Sequence, residues 1–216
     1  MLGMDNKEGE MYSRVHKMLI VITMTFVALT VQSDILFAAY EFSGRGQQVT
    51  RKFTLQPGLY VFGMKHTGTS NFVIRPMSID GRKYSSLVSE IGRFEGSTAF
   101  SVGETKTFLL NVDADGNWSI SIGKPGIDPH ARYIKGAGQK ATKLIALKKG
   151  LYIFKMKHSG KSNFAICLYR SDGRRYSFLV NEIGHFNGSK AETLTKGEYL
   201  FQVDADGQWE ITIEKQ

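Results

Sequence analysis

Short stretches of alternating apolar and polar residues dominate the chain after residue 40. Tyr60, Phe62 and Met64 alternate with Leu59 and Val61, and Phe108, Leu110 and Val112 recur at every second position. Trp118, Ile120 and Ile122 are interleaved with Asn117, Ser119 and Ser121. A period of two sends apolar side chains to one face of a strand and polar ones to the other, the mark of half-buried β-strands. The pattern predicts strands over 47–55, 58–66, 70–77, 84–90, 97–102, 106–113 and 117–122, with counterparts in the second half. The chain has 23 glycines against 4 prolines, and no long amphipathic helix pattern follows residue 40. Short strands, frequent glycine turns and no crossover helices imply an all-β chain of antiparallel, jelly-roll-like sandwiches.

The pattern occurs twice. Residues 58–96 align without a gap on residues 150–188, and 24 of these 39 positions are identical. Upstream, Gly44 and Gly46 answer to Gly136 and Gly138; downstream, "VDADGNW" (112–118) answers to "VDADGQW" (203–209) after a one-residue deletion. A unit of this length exceeds a solenoid repeat, so the expectation is two tandem β-sandwich domains, 40–122 and 134–216. "GKPGIDPHARY" (123–133), with two of the four prolines, reads as the linker. "VDADGNW" itself reads as a hairpin with the loop Ala114–Gly116. That register sets Val112 opposite Trp118, Leu110 opposite Ile120 and Phe108 opposite Ile122, with Gly116 left-handed. The second copy repeats it: Val203 with Trp209, Phe201 with Ile211 and Tyr199 with Ile213.

The first 39 residues are different in kind. A basic stretch, "SRVHK" (13–17), precedes an uncharged apolar run, "MLIVITMTFVALTV" (18–31), and then "QSDILFAAY". This is the build of a secretory signal peptide, with Val31 and Ser33 at cleavage-site spacing and Ala39 as a second candidate. The competing reading is an uncleaved anchor helix over Met18–Ala39, in which Asp34 would be costly in lipid. No cysteine follows the run, which excludes a lipoprotein anchor. Cys167 is the sole cysteine, so no intramolecular disulfide forms; an exported domain without one fits a bacterial envelope. The expected location is therefore secreted, periplasmic or envelope-bound, with membrane contact only through an uncleaved N-terminal segment.

The net charge is +8, and charges within residues 1–33 cancel, so the excess belongs to the remainder. Residues 135–216 carry 14 Lys and Arg against 8 Asp and Glu. Such a field favours anionic partners such as wall polymers and acidic glycans. The basic residues form no run or basic helix, so a specific nucleic-acid site is not expected.

Four repeated polar segments are candidate sites. "KHTGTSNF" (65–72) and "KHSGKSNF" (157–164) present His66 with Asn71 and His158 with Asn163. One histidine per unit is a poor metal set, and Ser and Asn side chains commonly satisfy loop backbone groups. "DGRKY" and "DGRRY" place Arg82, Lys83 and Tyr84, and Arg174, Arg175 and Tyr176, at turns. Arginine can grip a carboxylate, sulfate or phosphate, and tyrosine can lie against a sugar ring, so these are candidate edges for an anionic polymer. Asp113 and Asp115, with Asp204 and Asp206, could hold a surface cation. Their glycine falls at position 4, however, where a helix–loop–helix calcium site requires it at 6. "SEIGRFEG" (89–96) and "NEIGHFNG" (181–188) supply Glu90, Glu182 and His185, and Glu90 with Asp80 or Asp113 is the pair a glycosidase would need. No nucleophile elbow, phosphate-cradling glycine loop or HExxH motif occurs, and duplication raises avidity more readily than it serves one active site. No catalytic residue and no cofactor are expected.

The run "FTLQPGLYVF" (53–62), a Gly/Ser/Asn loop, an Asp-Gly turn and the closing "GNWSISI" (116–122) are similar to small β-sandwich modules of exported bacterial proteins. In outline each repeat also distantly resembles the bacterial pre-peptidase C-terminal domain. That resemblance implies a jelly-roll-like module of the kind appended to secreted proteases and implicated in polymer binding. The family's Asp-x-Asp-Leu-Tyr strand entry is replaced here by "TSNFVI" (69–74) and "KSNFAI" (161–166), without the aspartates, and no protease domain is attached. The expected function is non-catalytic binding or adhesion to an anionic or glycan polymer. The alternatives are a structural scaffold docking another envelope protein and a weak hydrolase.

Overall fold

The computed structural model describes residues 38–216. The basic and apolar N-terminal stretches, with Val31 and Ser33, lie outside the described residues; Ala39 lies in the first strand. Every regular element of the described residues is a strand, and all strand ladders are antiparallel. No helix among them is long and apolar enough to cross a membrane.

The first half contains β1 (Ala38–Arg45), β2 (Gln48–Val49), β3 (Phe53–Leu55), β4 (Gly58–His66), β5 (Asn71–Ser78), β6 (Val88–Ile91), β7 (Phe94–Val102), β8 (Lys106–Ala114) and β9 (Asn117–Gly123). They form two sheets, ordered β1-β9-β4-β7 and β2-β8-β5-β6, with β3 also on β8. The second half repeats this with β10 (Tyr133–Ala137), β11 (Lys140–Ala141), β12 (Ile145–Leu147), β13 (Gly150–His158), β14 (Asn163–Arg170), β15 (Arg175–Ile183), β16 (Phe186–Leu194), β17 (Gly197–Ala205) and β18 (Gln208–Lys215). Its sheets run β10-β18-β13-β16 and β11-β17-β14-β15, with β12 on β17.

Alternation fills the space between each pair of sheets. Tyr60, Phe62 and Met64 from β4 meet Phe108, Leu110 and Val112 from β8, closed by Trp118, Ile120 and Ile122 from β9. Tyr152, Phe154, Met156, Tyr199, Phe201 and Trp209 do the same in the second half. Each such large apolar side chain contributes about 1.5–3 kcal/mol by leaving water. Trp118 Nε1 donates to Gly46 O at 2.9 Å, and a Cβ on Gly44 would come within 2.5 Å of the indole. The repeated Gly-x-Gly is therefore the tryptophan's bed.

Two expectations are corrected. The strand pattern was expected to begin at residue 47, but β1 occupies Ala38–Arg45 and pairs with β9 from Tyr40↔Ile122 to Arg45↔Asn117. Its alternation is short, with Tyr40 and Phe42 beside two alanines, and only the pairing with β9 makes it a strand. The second correction concerns "VDADGNW". β8 pairs with β5 and with β2 and β3, whereas β9 pairs with β1 and β4, so the two strands lie in different sheets. The segment is an arch across the sandwich, not a hairpin, and Val112 and Trp118 both face the shared core. The same holds for β17 and β18. Gly116 is not among the glycines with positive φ. It is needed because a Cβ there would fall on the backbone of Gly68.

The halves pack into one compact unit. The outer face of β4 and β7 meets the outer face of β11, β14 and β17 through Leu59, Ala99, Leu144 and Leu200, with Val61, Ala141 and Tyr169 around them. Polar groups fix the register. Ala99 N donates to Gln202 Oε1 at 2.7 Å, Gln139 Nε2 to Leu87 O at 2.7 Å, Ser97 N to Gln139 O at 3.1 Å and Ala141 N to Ser97 Oγ at 3.0 Å. Residues 124–132 are docked as well: Asp128 N donates to Leu144 O at 2.8 Å, and Arg132 reaches Ala131 O and Ala146 O.

Candidate functional site

The loop "HTGTS" packs directly on the acidic arch. His66 is buried and stacks on Phe72 with ring centroids 4.6 Å apart. Its Nδ1 donates to Gly92 O at 2.7 Å, and its Nε2 faces Asp115 Oδ1 at 3.1 Å. Asp115 Oδ2 accepts from Thr69 N at 2.9 Å and Ser70 N at 3.0 Å. The Thr69 amide is the main cause that holds the Asp115 carboxyl below its ordinary range. In the second half His158, Phe164, Gly184 and Asp206 repeat the arrangement, with Lys161 N and Ser162 N as donors. The histidine ring and the arch carboxylate are thus used internally, as braces between loop and arch. Asn71 and Asn163 begin β5 and β14, and Asn163 Nδ2 reaches Asp204 O at 3.5 Å. Asp113 and Asp204 lie on the outer faces of β8 and β17. Among the described residues no group of three or more His, Cys, Asp or Glu could hold a metal ion.

The two Asp-Gly turns are hairpin tips. Tyr84 is half-buried, its ring edge-on to Phe100 and Phe108, with the Arg82 guanidinium 5.3 Å from its centroid. Lys83 is exposed. Tyr176 donates to Thr193 O at 2.7 Å and packs edge-on to Tyr199. Arg174 Nη2 pairs with Asp172 at 3.0 Å, and Arg175 lies 4.8 Å over Phe178. Both tyrosines therefore spend a ring edge on the core. Asp80, bonded by Ser78 Oγ and Arg82 N, is lowered to about 2.

A further concavity lies elsewhere. The outer face of β1, β9, β4 and β7 forms a groove of about 700 Å³. Ser43, Ser97, Ser119 and Ser121 line its floor, and Glu41, Lys65, Glu95 and Lys140 contribute charge. Lys65 and Glu95 pair at 2.8 Å, while Lys140 arrives from the second half. The floor is deep because Gly63 sits mid-strand, where a Cβ would come within 2.7 Å of Ser121 Oγ. A glycine in a strand interior often marks close approach by another group. The backbone does not demand it here, since Lys155 occupies the equivalent place. The second half narrows that space to about 460 Å³: Lys155 pairs with Glu214 at 2.6 Å, and Glu210 and Thr212 stand where Ser119 and Ser121 stand in the first. Sequence reasoning missed this site because small residues carry no motif. The signal was the Gly63/Lys155 difference within an otherwise near-identical segment.

No known family's sequence profile matches the chain. No curated protein matches it. Among solved structures, the PBSX exported protein XepA is similar over 82% of this chain and 85% of its own, at 6% identity and a TM-score of 0.26. The N-terminal CBM22-1-CBM22-2 tandem domain of Xyn10C from Paenibacillus barcinonensis is similar over 82% of this chain and 87% of its own, again at 6% identity and a TM-score of 0.26.

Proposed function

We propose that the chain is an exported, non-catalytic binding module for a hydroxyl-rich or anionic polymer such as a glycan, held in the groove over β1, β9, β4 and β7. The observation that carries this reading is the small-residue floor at Gly63, Ser119 and Ser121, which widens the groove to about 700 Å³ against about 460 Å³ over Lys155, Glu210 and Thr212 in the second half. Serine hydroxyls donate and accept hydrogen bonds, as recognition of a polyol requires. The groove volume falls in the ordinary range for ligand sites. Lys140 suits an acidic substituent, while Lys65 is paired with Glu95, and the N-terminal charge and apolar pattern supports export.

The double variant Gly63→Lys/Ser119→Glu rebuilds the second half's narrower, charged surface in the first. In co-sedimentation with insoluble polysaccharides and cell-wall material, the wild type is expected to bind at both low and high salt. The variant should bind at least about tenfold less, a loss of about 1.4 kcal/mol. Undiminished binding by the variant would sink the groove assignment. Binding by the wild type at low salt alone would mean that net charge explains it, because screening removes surface attraction.

A further inference from the structure

We propose that the chain associates head to tail with further copies of itself, using on its two outer ends the same pair of faces that join its halves. The contact inside the chain is heterologous: one face of the first half meets a different face of the second. Each half carries both faces by descent from the repeat, so one of each is left over. The left-over faces are complementary in kind.

The first free face is the outer side of β13 and β16. Leu151, Ile153 and Ala191 stand there where Leu59, Val61 and Ala99 stand in the internal contact, and Ser189 replaces Ser97. Leu59 is 1% exposed, whereas Leu151, the same residue in the same strand position, is 44% exposed. The second free face is the outer side of β2, β5 and β8. Gln47 and Leu109 repeat Gln139 and Leu200, and Val49, 60% exposed, repeats Ala141. The turn glycines agree. A Cβ on Gly173 would come within 2.6 Å of Ser101 Oγ across the internal contact, while its equivalent Gly81 has nothing within 4 Å. Apolar residues, Gln47 and a turn glycine are therefore present on surfaces that meet nothing among the described residues, with Asn111 in the place of Gln202.

The occupant is a second copy because the internal contact is itself the template, and both of its halves are present unpaired on one molecule. A pair of unlike faces at opposite ends does not self-close as a two-fold dimer; it builds rings or open chains. Lys52 replaces Leu144 at the free face, and lysine is depleted at interface cores, so contact between copies is weaker than contact within the chain.

The test is sedimentation velocity on the full chain over a concentration series. Val49→Glu blocks one face and Leu151→Glu the other; both side chains are exposed, so folding is spared. The wild type should show a sedimentation coefficient that rises with concentration through several oligomers. Each variant alone should remain a monomer, because every contact needs both faces. An equimolar mixture should form a one-to-one complex through the remaining intact pair. A wild type that stays monomeric up to about 1 mM overturns the proposal. Variants that associate like the wild type overturn it, because the contact then lies elsewhere, and so does a mixture that fails to complement.

Discussion

The residues that look most chemical in the sequence turn out to be placed for packing, and glycine explains why. Gly68 lies over the His66–Asp115 pair so closely that a Cβ would collide with Asp115 Oδ1 and His66 Nε2. Gly160 is in the same position over His158 and Asp206. Gly68→Ala must therefore displace either the buried imidazole or the arch carboxylate, each of which holds backbone groups. The expected cost is about 2–3 kcal/mol, typical of overpacking in a tight site. Chemical denaturation at neutral pH measures it, with Gly81→Ala as the contrast, since Gly81 has nothing within 4 Å and is strained only through its positive φ of 87°. Equal losses in the two variants would contradict the close-packing account of Gly68.

At the scale of elements, the acidic arch shows how much the sequence discloses. Alternation gave the inward residues of β4, β8 and β9 and even the bounds of β4, because a period of two fixes which side chains share a face. It is silent on the partner strand. Phe108, Leu110 and Val112 point at the core equally well in a hairpin or across an arch, and the hairpin was the wrong choice. The choice is made by the docking of "HTGTS" on the arch, a contact between segments about 45 residues apart that no local pattern encodes. The groove was illegible for a related reason: it consists of missing side chains. The arch makes a prediction of its own. Asp115 and Asp206 are held below the ordinary carboxylate value of 3.8, first by the amides of Thr69 and Lys161. Depressed carboxyls add stability that is complete above the unfolded value and is lost as pH falls through the folded one. Asp115→Asn mimics the protonated form. Its melting temperature should lie below that of the wild type at pH 7, and the gap should close in strong acid. A gap that persists unchanged at low pH would mean that the charge on Asp115 is not what binds the amides.

For the whole molecule, the joint between the halves contains a feature that opposes it. Glu90 of the first half is raised by loss of hydration and then by the charge of Asp204 from the second. Asp204 is raised by loss of hydration. Raised carboxyls act with the opposite sign from the arch aspartates: their ionised forms are disfavoured in the folded joint, so stability is lost as pH rises through the raised values. At neutral pH the Leu59–Leu200 cluster and the Gln139 and Gln202 hydrogen bonds offset this penalty, which is modest because both carboxylates keep contact with water. Glu90→Gln combined with Asp204→Asn should therefore stabilise the chain at pH 7, and this advantage should shrink as pH falls towards the ordinary carboxylate range. Thermal melts at several pH values read both effects at once, because the arch aspartates pull the wild-type curve down only at acid pH while the joint carboxyls act above it. If the double variant were less stable at pH 7, the two carboxylates would have to be making hydrogen bonds worth more than their repulsion. The joint would then be held by polar pairing rather than by its apolar cluster. The expected gain instead places the strength of the joint in Leu59, Ala99, Leu144 and Leu200, the residues whose repeat equivalents stand free at the two ends.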